Sequence, residues 1–158
     1  MRLWISGTGS ALPKKVVTND DLAKVIDTSD EWIFARTGIH QRHVADETET
    51  IETLGAAAAE KALEMAGVSA EEIGLIVFGT CTDGNVTPSA ACQVQALIGA
   101  ANAVAFDINA ACSGFLYSLR TAEGLLKTGL AKKALVIGGD LVTRYIDWQD
   151  RTTCVLFG

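Results

Sequence analysis

Short apolar runs rich in Val and Ile alternate along the chain with longer segments whose apolar positions recur at helical spacing. Leu3–Ser6 reads as a strand ended by Gly7-Thr8-Gly9. Thr18 is placed to cap a short helix over Asn19–Ile26, with Asp20 and Asp21 in the first turn, where the helix dipole favours carboxylates. A second helix starts near Ser29 and ends at Gly38, a residue suited to a left-handed C-cap. Thr48 or Thr50 opens a longer helix through Leu54, Ala58, Ala62, Leu63 and Met65, ending at Gly67, and Ser69 to Glu72 has capping-box spacing. The pattern continues with a strand over Ile73–Thr80 and a mostly uncharged helix from Ser89 to Ile98. Then come a strand over Val104–Asn109, a helix over Ser113–Lys127 stopped by Gly129, a strand over Ala134–Gly138 and a strand-like run over Thr153–Phe157. Strands buried on both faces and joined by helices predict an α/β layered fold with a largely parallel sheet.

The chain has 158 residues, 49% apolar and 20% charged, which supplies one core and excludes disorder and coiled coil. Its net charge of −6 makes it a poor general nucleic-acid binder, because phosphate contacts need clustered cations. No Lys or Arg lies between Lys61 and Arg120, and Gly84 to Phe106 carries no charge at all. Asn85, Thr87, Gln93, Gln95 and Asn102 make that stretch too polar for a membrane span, so it predicts an interior or an interface. The apolar start is too short for a leader peptide, and the expected compartment is the cytoplasm, with free thiols. The chain stops at Gly158, directly after a strand-like run, and the expectation is that it is the front part of a longer protein.

Four cysteines, Cys81, Cys92, Cys112 and Cys154, are too widely spaced for a disulfide scaffold. Cys112 is the candidate nucleophile. It falls just past the carboxyl end of the strand Val104–Asn109 and just before a helix, where parallel sheets gather their ligands. A helix N-terminus stabilises a thiolate, and its N–H groups can form an oxyanion hole. The competing reading is a small buried hydrophobe, the common fate of free cysteines, and it is favoured for the other three. His40 and His43 lack companions for a metal site. Gly7-Thr8-Gly9 lacks the third glycine of a dinucleotide loop, since Leu12 stands there. Gly138-Gly139-Asp140 is either a close backbone approach or a turn. Trp32 and Arg36 share a helix face behind Thr28, an arrangement that can hold a base by stacking and a phosphate by charge, or can equally be a core Trp beside a solvated Arg.

Six runs together resemble the β-ketoacyl-acyl carrier protein synthases of type III, condensing enzymes of the thiolase superfamily. They are Gly7-Thr-Gly-Ser-Ala-Leu-Pro13, Asp27-Thr-Ser-Asp-Glu-Trp-Ile33, Arg36-Thr-Gly-Ile39, Pro88-Ser-Ala-Ala-Cys-Gln93, Ala110-Ala-Cys-Ser-Gly-Phe115 and Leu156-Phe-Gly158. The resemblance implies a thiolase-like layered fold, of which residues 1–158 are the N-terminal half, with a mixed, largely parallel five-stranded sheet flanked by helices. It implies acyl transfer from coenzyme A, commonly of acetyl, to Cys112, followed by decarboxylative condensation with malonyl-acyl carrier protein at the start of type II fatty acid synthesis. Trp32 matches the residue stacking on the adenine of coenzyme A, Arg151 its opposite face, Thr28 a contact to the base and Arg36 a contact to phosphate. Val142 and Phe157 match the acyl pocket. Thr87 matches a position that reaches the partner subunit's pocket in a homodimer. No cofactor beyond the thioester substrate and no metal is implied. The family's catalytic histidine and asparagine lie in His-Gln-Ala-Asn-like and Gly-Asn-Thr-like runs that do not occur in this chain. The alternatives are a non-catalytic binding or dimerisation module, or a related condensing enzyme with another primer.

Overall fold

A computed structural model describes residues 3–158. In chain order its main elements are β1 (Lys15–Thr18), α1 (Asn19–Leu22), α2 (Asp30–Thr37), β2 (Gln41–Val44), α3 (Ile51–Ala66), β3 (Leu75–Gly79), α4 (Ala90–Ile98), β4 (Val104–Ile108), α5 (Gly114–Lys127) and β5 (Ala134–Gly138). They fall into two compact units. Of the described residues, the first comprises 3–11 and 51–140, the second 12–50 and 141–158.

The first unit is a layered α/β body around a parallel sheet of order β4-β3-β5. Leu75 pairs with Val104 on one side and Ala134 on the other, and Gly79 with Ile108 and Gly138. Leu75, Ile76, Val77 and Phe78 are fully buried, as a central strand covered on both faces requires. Their side chains alternate. Leu75 and Val77 pack with Ala122 of α5, whereas Phe78 faces α3 and α4 at Gly55 and Val94. Each such side chain contributes about 1.5–3 kcal/mol by leaving water. Asp107 of β4 accepts from the N–H groups of Ala90 (2.9 Å) and Ala91 (2.8 Å), which anchors the start of α4 on the sheet.

The expected strand over Leu3–Ser6 carries no ladder. Gly7 and Gly9 explain the local sequence instead, because a Cβ on either would come within 2.2 Å of the Ala62 carbonyl or 2.1 Å of the Ala58 carbonyl. The two glycines let this segment lie on the small-residue face of α3. Beside it runs an apolar trough of about 730 Å³, bounded by residues 3–9 on one side and β5 on the other and floored by Phe115, Leu116 and Leu119.

The second unit carries the antiparallel pair β1–β2, in which Lys15 pairs with Val44 and Thr18 with Gln41. The sheet is therefore not one of five strands. The described residues form a three-stranded sheet and a separate two-stranded one. Leu22, Ile33, Cys154 and Val155 make this unit's core. Arg42, 4% exposed, donates to Asn19 Oδ1 (2.8 Å) and to the carbonyls of Val17 (3.3 Å) and Val155 (3.0 Å). Burial pushes its pKa down, and these acceptors offset part of the desolvation.

Thr18 caps α1 through a full capping box with Asp21, and Ser29 and the left-handed Gly38 bound α2, as the sequence predicts. The helix over Asn19–Ile26 stops early, at Leu22. The run Thr153–Phe157 is not a strand. Asp150 Oδ1 accepts from the Thr152 N–H and hydroxyl, Oδ2 accepts from the Thr153 hydroxyl, and the Asp150 carbonyl takes the Cys154 N–H, which winds the segment into turns. No described helix is long and apolar enough to cross a membrane.

Asp83 gives the fold a pH dependence. Burial, reinforced by the carboxylates of Glu52 and Asp107, raises its pKa above the usual range, against a hydrogen bond from the Asn85 N–H that favours the anion. The folded state therefore holds this proton to higher pH than the unfolded chain does. Stability falls as pH rises through the raised value and stays reduced at neutral pH. Asp83→Asn keeps the acceptor and removes the charge. Its denaturation midpoint is expected to exceed the parent's at pH 7 and to converge with it below about pH 4, the range in which an unperturbed Asp protonates.

Candidate active site

Three strand ends converge in the first unit. The Thr80 N–H donates to the Ile108 carbonyl (3.2 Å), and the Gly139 N–H to the Gly79 carbonyl (3.2 Å), so the exits of β4, β3 and β5 are tied side by side. Asp140 completes the tie. One carboxylate oxygen accepts from the Thr80 hydroxyl (3.1 Å), the Cys81 N–H (2.8 Å) and the Thr82 hydroxyl (3.2 Å).

Cys112 stands on this platform. It lies in a 3₁₀ turn, Ala111–Ser113, between β4 and α5. Ala111 has φ +45°, the only positive value at a non-glycine residue among the described residues. Holding a Cβ there costs about 1 kcal/mol or more, a strain that local packing must sustain and that marks functional turns. The start of α5 is held by close glycine packing. A Cβ on Gly79 would lie 2.5 Å from the Gly114 carbonyl carbon, and one on Gly138 would lie 2.8 Å from Phe115 Cβ. The Cys112 side chain is exposed. The Ser113 and Gly114 N–H groups bond back to the carbonyls of Ala110 and Ala111.

The other cysteines differ. Cys154 is buried in the second unit's core, and burial, then Asp150, raises its pKa. The Cys92 thiol faces the Ala105 carbonyl at 3.5 Å inside α4. Cys81 is exposed, contrary to the inert buried reading, and its pKa is raised first by desolvation and then by Asp140. Thr87 is exposed in the irregular segment before α4.

In the second unit, α2 places Trp32 half-buried at the edge of the core, with the Arg36 guanidinium 4.3 Å and the Arg151 guanidinium 4.0 Å from its ring centre. Helical spacing groups Trp32 with Arg36, and the fold brings in from the far end of the chain Arg151, which the resemblance pairs with Trp32. Two polar atoms there are buried without partners: Thr28 Oγ1 and Arg151 Nε. Val142 is half-buried in a 3₁₀ turn, and Phe157 is 38% exposed near the chain end. Both histidines are engaged: His40 Nδ1 pairs with Asp30 at 2.9 Å, and His43 Nδ1 lies 2.6 Å from the Pro13 carbonyl. Among the described residues, no three His, Cys, Asp or Glu side chains are grouped to hold a metal.

The layered body, with a cysteine at the strand–helix junction, is the N-terminal half of a thiolase-like fold. The family 3-oxoacyl-[acyl-carrier-protein] synthase III matches residues 106–158, which include Cys112, Val142, Arg151 and Phe157. The β-ketoacyl-[acyl-carrier-protein] synthase III of Erythrobacter litoralis is 56% identical over 158 residues, 100% of this chain and 49% of that protein. The crystal structure of 3-oxoacyl-[acyl-carrier-protein] synthase III from Aquifex aeolicus superposes with a TM-score of 0.93 at 52% identity, covering 98% of this chain and 50% of that one. The priming β-ketosynthase of the R1128 polyketide pathway superposes with a TM-score of 0.94 at 38% identity, covering 100% of this chain and 49% of that one. The chain belongs to the β-ketoacyl-acyl carrier protein synthase III family and spans about half the length of the curated relatives it matches.

Exposure and protonation together order the four thiols. Iodoacetamide is expected to alkylate Cys112 first, roughly tenfold or more ahead of Cys81, which holds its proton, and ahead of Cys92 and Cys154, which are covered. Peptide mass mapping over a time course checks this order, and equal rates at Cys81 and Cys112 would contradict it.

Proposed function

We propose that this chain is the nucleophile-bearing half of a ketosynthase that condenses an acyl-coenzyme A, acetyl above all, with malonyl-acyl carrier protein. The observation that carries the reading is the exposed Cys112, presented after the left-handed Ala111 between β4 and α5, within the segment that the family matches. In the first step the Cys112 sulfur attacks the thioester carbonyl. A carbon–sulfur bond forms to Cys112, the bond to coenzyme A breaks, and the coenzyme leaves as the thiol with the proton that Cys112 has lost. In the second, malonyl-acyl carrier protein loses CO₂, and the resulting carbanion attacks the acyl carbon. A carbon–carbon bond forms, and Cys112 leaves as thiolate.

Trp32 and Arg151 are the expected clamp for the adenine of coenzyme A. They stack at 4.0 Å, and a base held between them would part them by about one ring thickness, roughly 3.5 Å. The unpartnered Thr28 Oγ1 and Arg151 Nε favour a polar ligand there, and Arg36 is available for a phosphate. Thr87, Val142 and Phe157 are proposed to shape the acyl pocket, with Thr87 serving the partner subunit. Homodimerisation is proposed through β4, which is an edge strand among the described residues and whose Val104 is 48% exposed. The cytoplasm is the proposed compartment, and no cofactor beyond the thioester is invoked. The likeness to a priming polyketide ketosynthase favours, as a second reading, the same chemistry with another acyl primer.

Three measurements test the proposal. Trp32→Ala and Arg151→Ala, each in the whole enzyme carrying this half, are expected to raise the acyl-coenzyme A requirement about fivefold to tenfold, matching a lost stacking contact of about 1 kcal/mol or somewhat more, and to leave that for malonyl-carrier protein nearly unchanged. Equal effects on both substrates would assign these residues to packing. Radiolabelled acetyl from acetyl-coenzyme A is expected on Cys112 and to be lost in Cys112→Ala. The 158-residue chain by itself is expected to give no β-ketoacyl product. The family's histidine and asparagine runs, the expected donors to the enolate oxygen, do not occur in its sequence, and one such donor is worth about 10²–10³ in rate. Turnover by this chain would place the general base at His40 or His43.

A further inference from the structure

Cys81 is a second exposed thiol beside the proposed nucleophile. The ladder fixes their proximity. Gly79 and Ile108 are partners in register, the Thr80 N–H is bonded to the Ile108 carbonyl, and Cys81 and Cys112 follow within a few residues on the two neighbouring strand exits. The Gly79 backbone is packed against Gly114, just after Cys112, and Asp140 holds the Cys81 N–H at 2.8 Å. Both thiols are thus carried by anchored backbone. They are near enough for the charge of Cys112 to act on Cys81, whose own thiol is hydrogen-bonded to Asp140. Acyl transfer as proposed above has no use for Cys81.

We propose that Cys81 is a resolving thiol for Cys112, and that peroxide converts the pair into a reversible disulfide that protects Cys112 from irreversible oxidation. The Cys112 sulfur attacks hydrogen peroxide. A sulfur–oxygen bond forms, the oxygen–oxygen bond breaks, and water leaves with the proton from Cys112, so the thiol is oxidised to a sulfenic acid and the peroxide is reduced. The Cys81 sulfur then attacks the sulfenic sulfur. The sulfur–sulfur bond forms, the sulfur–oxygen bond breaks, and the Cys81 proton passes by way of the Asp140 carboxylate to the departing hydroxide, giving a second water. Desolvation first, and then Asp140, raises the Cys81 pKa, which suits it to the part of the second thiol and not the first. The pairing holds whether or not Cys112 ever carries an acyl group.

The test exposes the reduced chain to a small excess of hydrogen peroxide, blocks remaining thiols, and cleaves on the amino side of aspartate. Cuts before Asp83 and Asp107 put Cys81, Cys92 and Cys112 on separate peptides, which trypsin cannot do because no Lys or Arg lies between Lys61 and Arg120. The expected product is a Cys81–Cys112 peptide pair, about 2 Da lighter than the two free peptides and released by dithiothreitol. In Cys81→Ser, Cys112 is expected to reach sulfinic and sulfonic acid about tenfold faster than in the parent, whereas Cys92→Ser keeps the link. Accumulation of Cys112 sulfinic acid at equal rates in parent and Cys81→Ser, with no linked pair, would overturn the proposal. Should Cys81→Ser fold poorly, the peptide map of the parent decides alone.

Discussion

No side chain fits between the end of β3 and the start of α5. Gly79 meets the backbone of Gly114 so closely that a single added carbon would sit 2.5 Å from it, and the rest of the candidate site depends on that contact. It lets α5 rest directly on the sheet, which brings Ser113 and Gly114 into range of the Ala110 and Ala111 carbonyls. The chain makes that descent from β4 with Ala111 in the left-handed region. Cys112, next in sequence, is left exposed. Packing and local strain at one glycine pair thus translate into the exposure of one thiol.

The second unit solves a different problem with a buried cation. Its apolar core is small, and its strands are short and polar. Arg42 substitutes for missing hydrophobic area by tying β1, α1 and the final turns together through three oxygen acceptors. That leaves the Trp32 ring at the core's edge with two guanidinium groups against it. A ring supported on one side by Ile33's core and attended by cations keeps its stacking capacity without depending on a mobile loop.

The parallel sheet was legible because its strands are buried on both faces and therefore read as unbroken apolar runs, and because Gly38, Gly67 and Gly129 punctuate the helices with positive φ. β1 and β2 were not, since Gln41-Arg42-His43 shows no apolar alternation and its pairing is decided by Arg42 from within the fold. Thr153–Phe157 misled for the opposite reason. Its β-branched composition suggests a strand, but Asp150 offers nearer hydrogen-bond acceptors than any neighbouring strand. Cys112 was found from its place between a strand and a helix. Asp140 reads from the sequence only as part of a close approach or a turn, and Cys81 as inert, because only the alignment of the strand ends shows that this carboxylate holds Thr80, Cys81 and Thr82. Nothing local in the sequence announces a contact across 59 residues.

Among the described residues β5 is an edge of the sheet, and that edge carries a colloidal consequence. Ala134-Leu-Val-Ile-Gly138 has no charge, no proline and no bulge, and it borders the apolar trough beside residues 3–9. These are the devices by which sheet proteins ordinarily blunt an open edge. What opposes edge-to-edge growth in this chain is long-range repulsion from its net charge of −6, a force that added salt weakens within a Debye length of about 10 Å. Added salt is therefore expected to promote association of the chain through that edge.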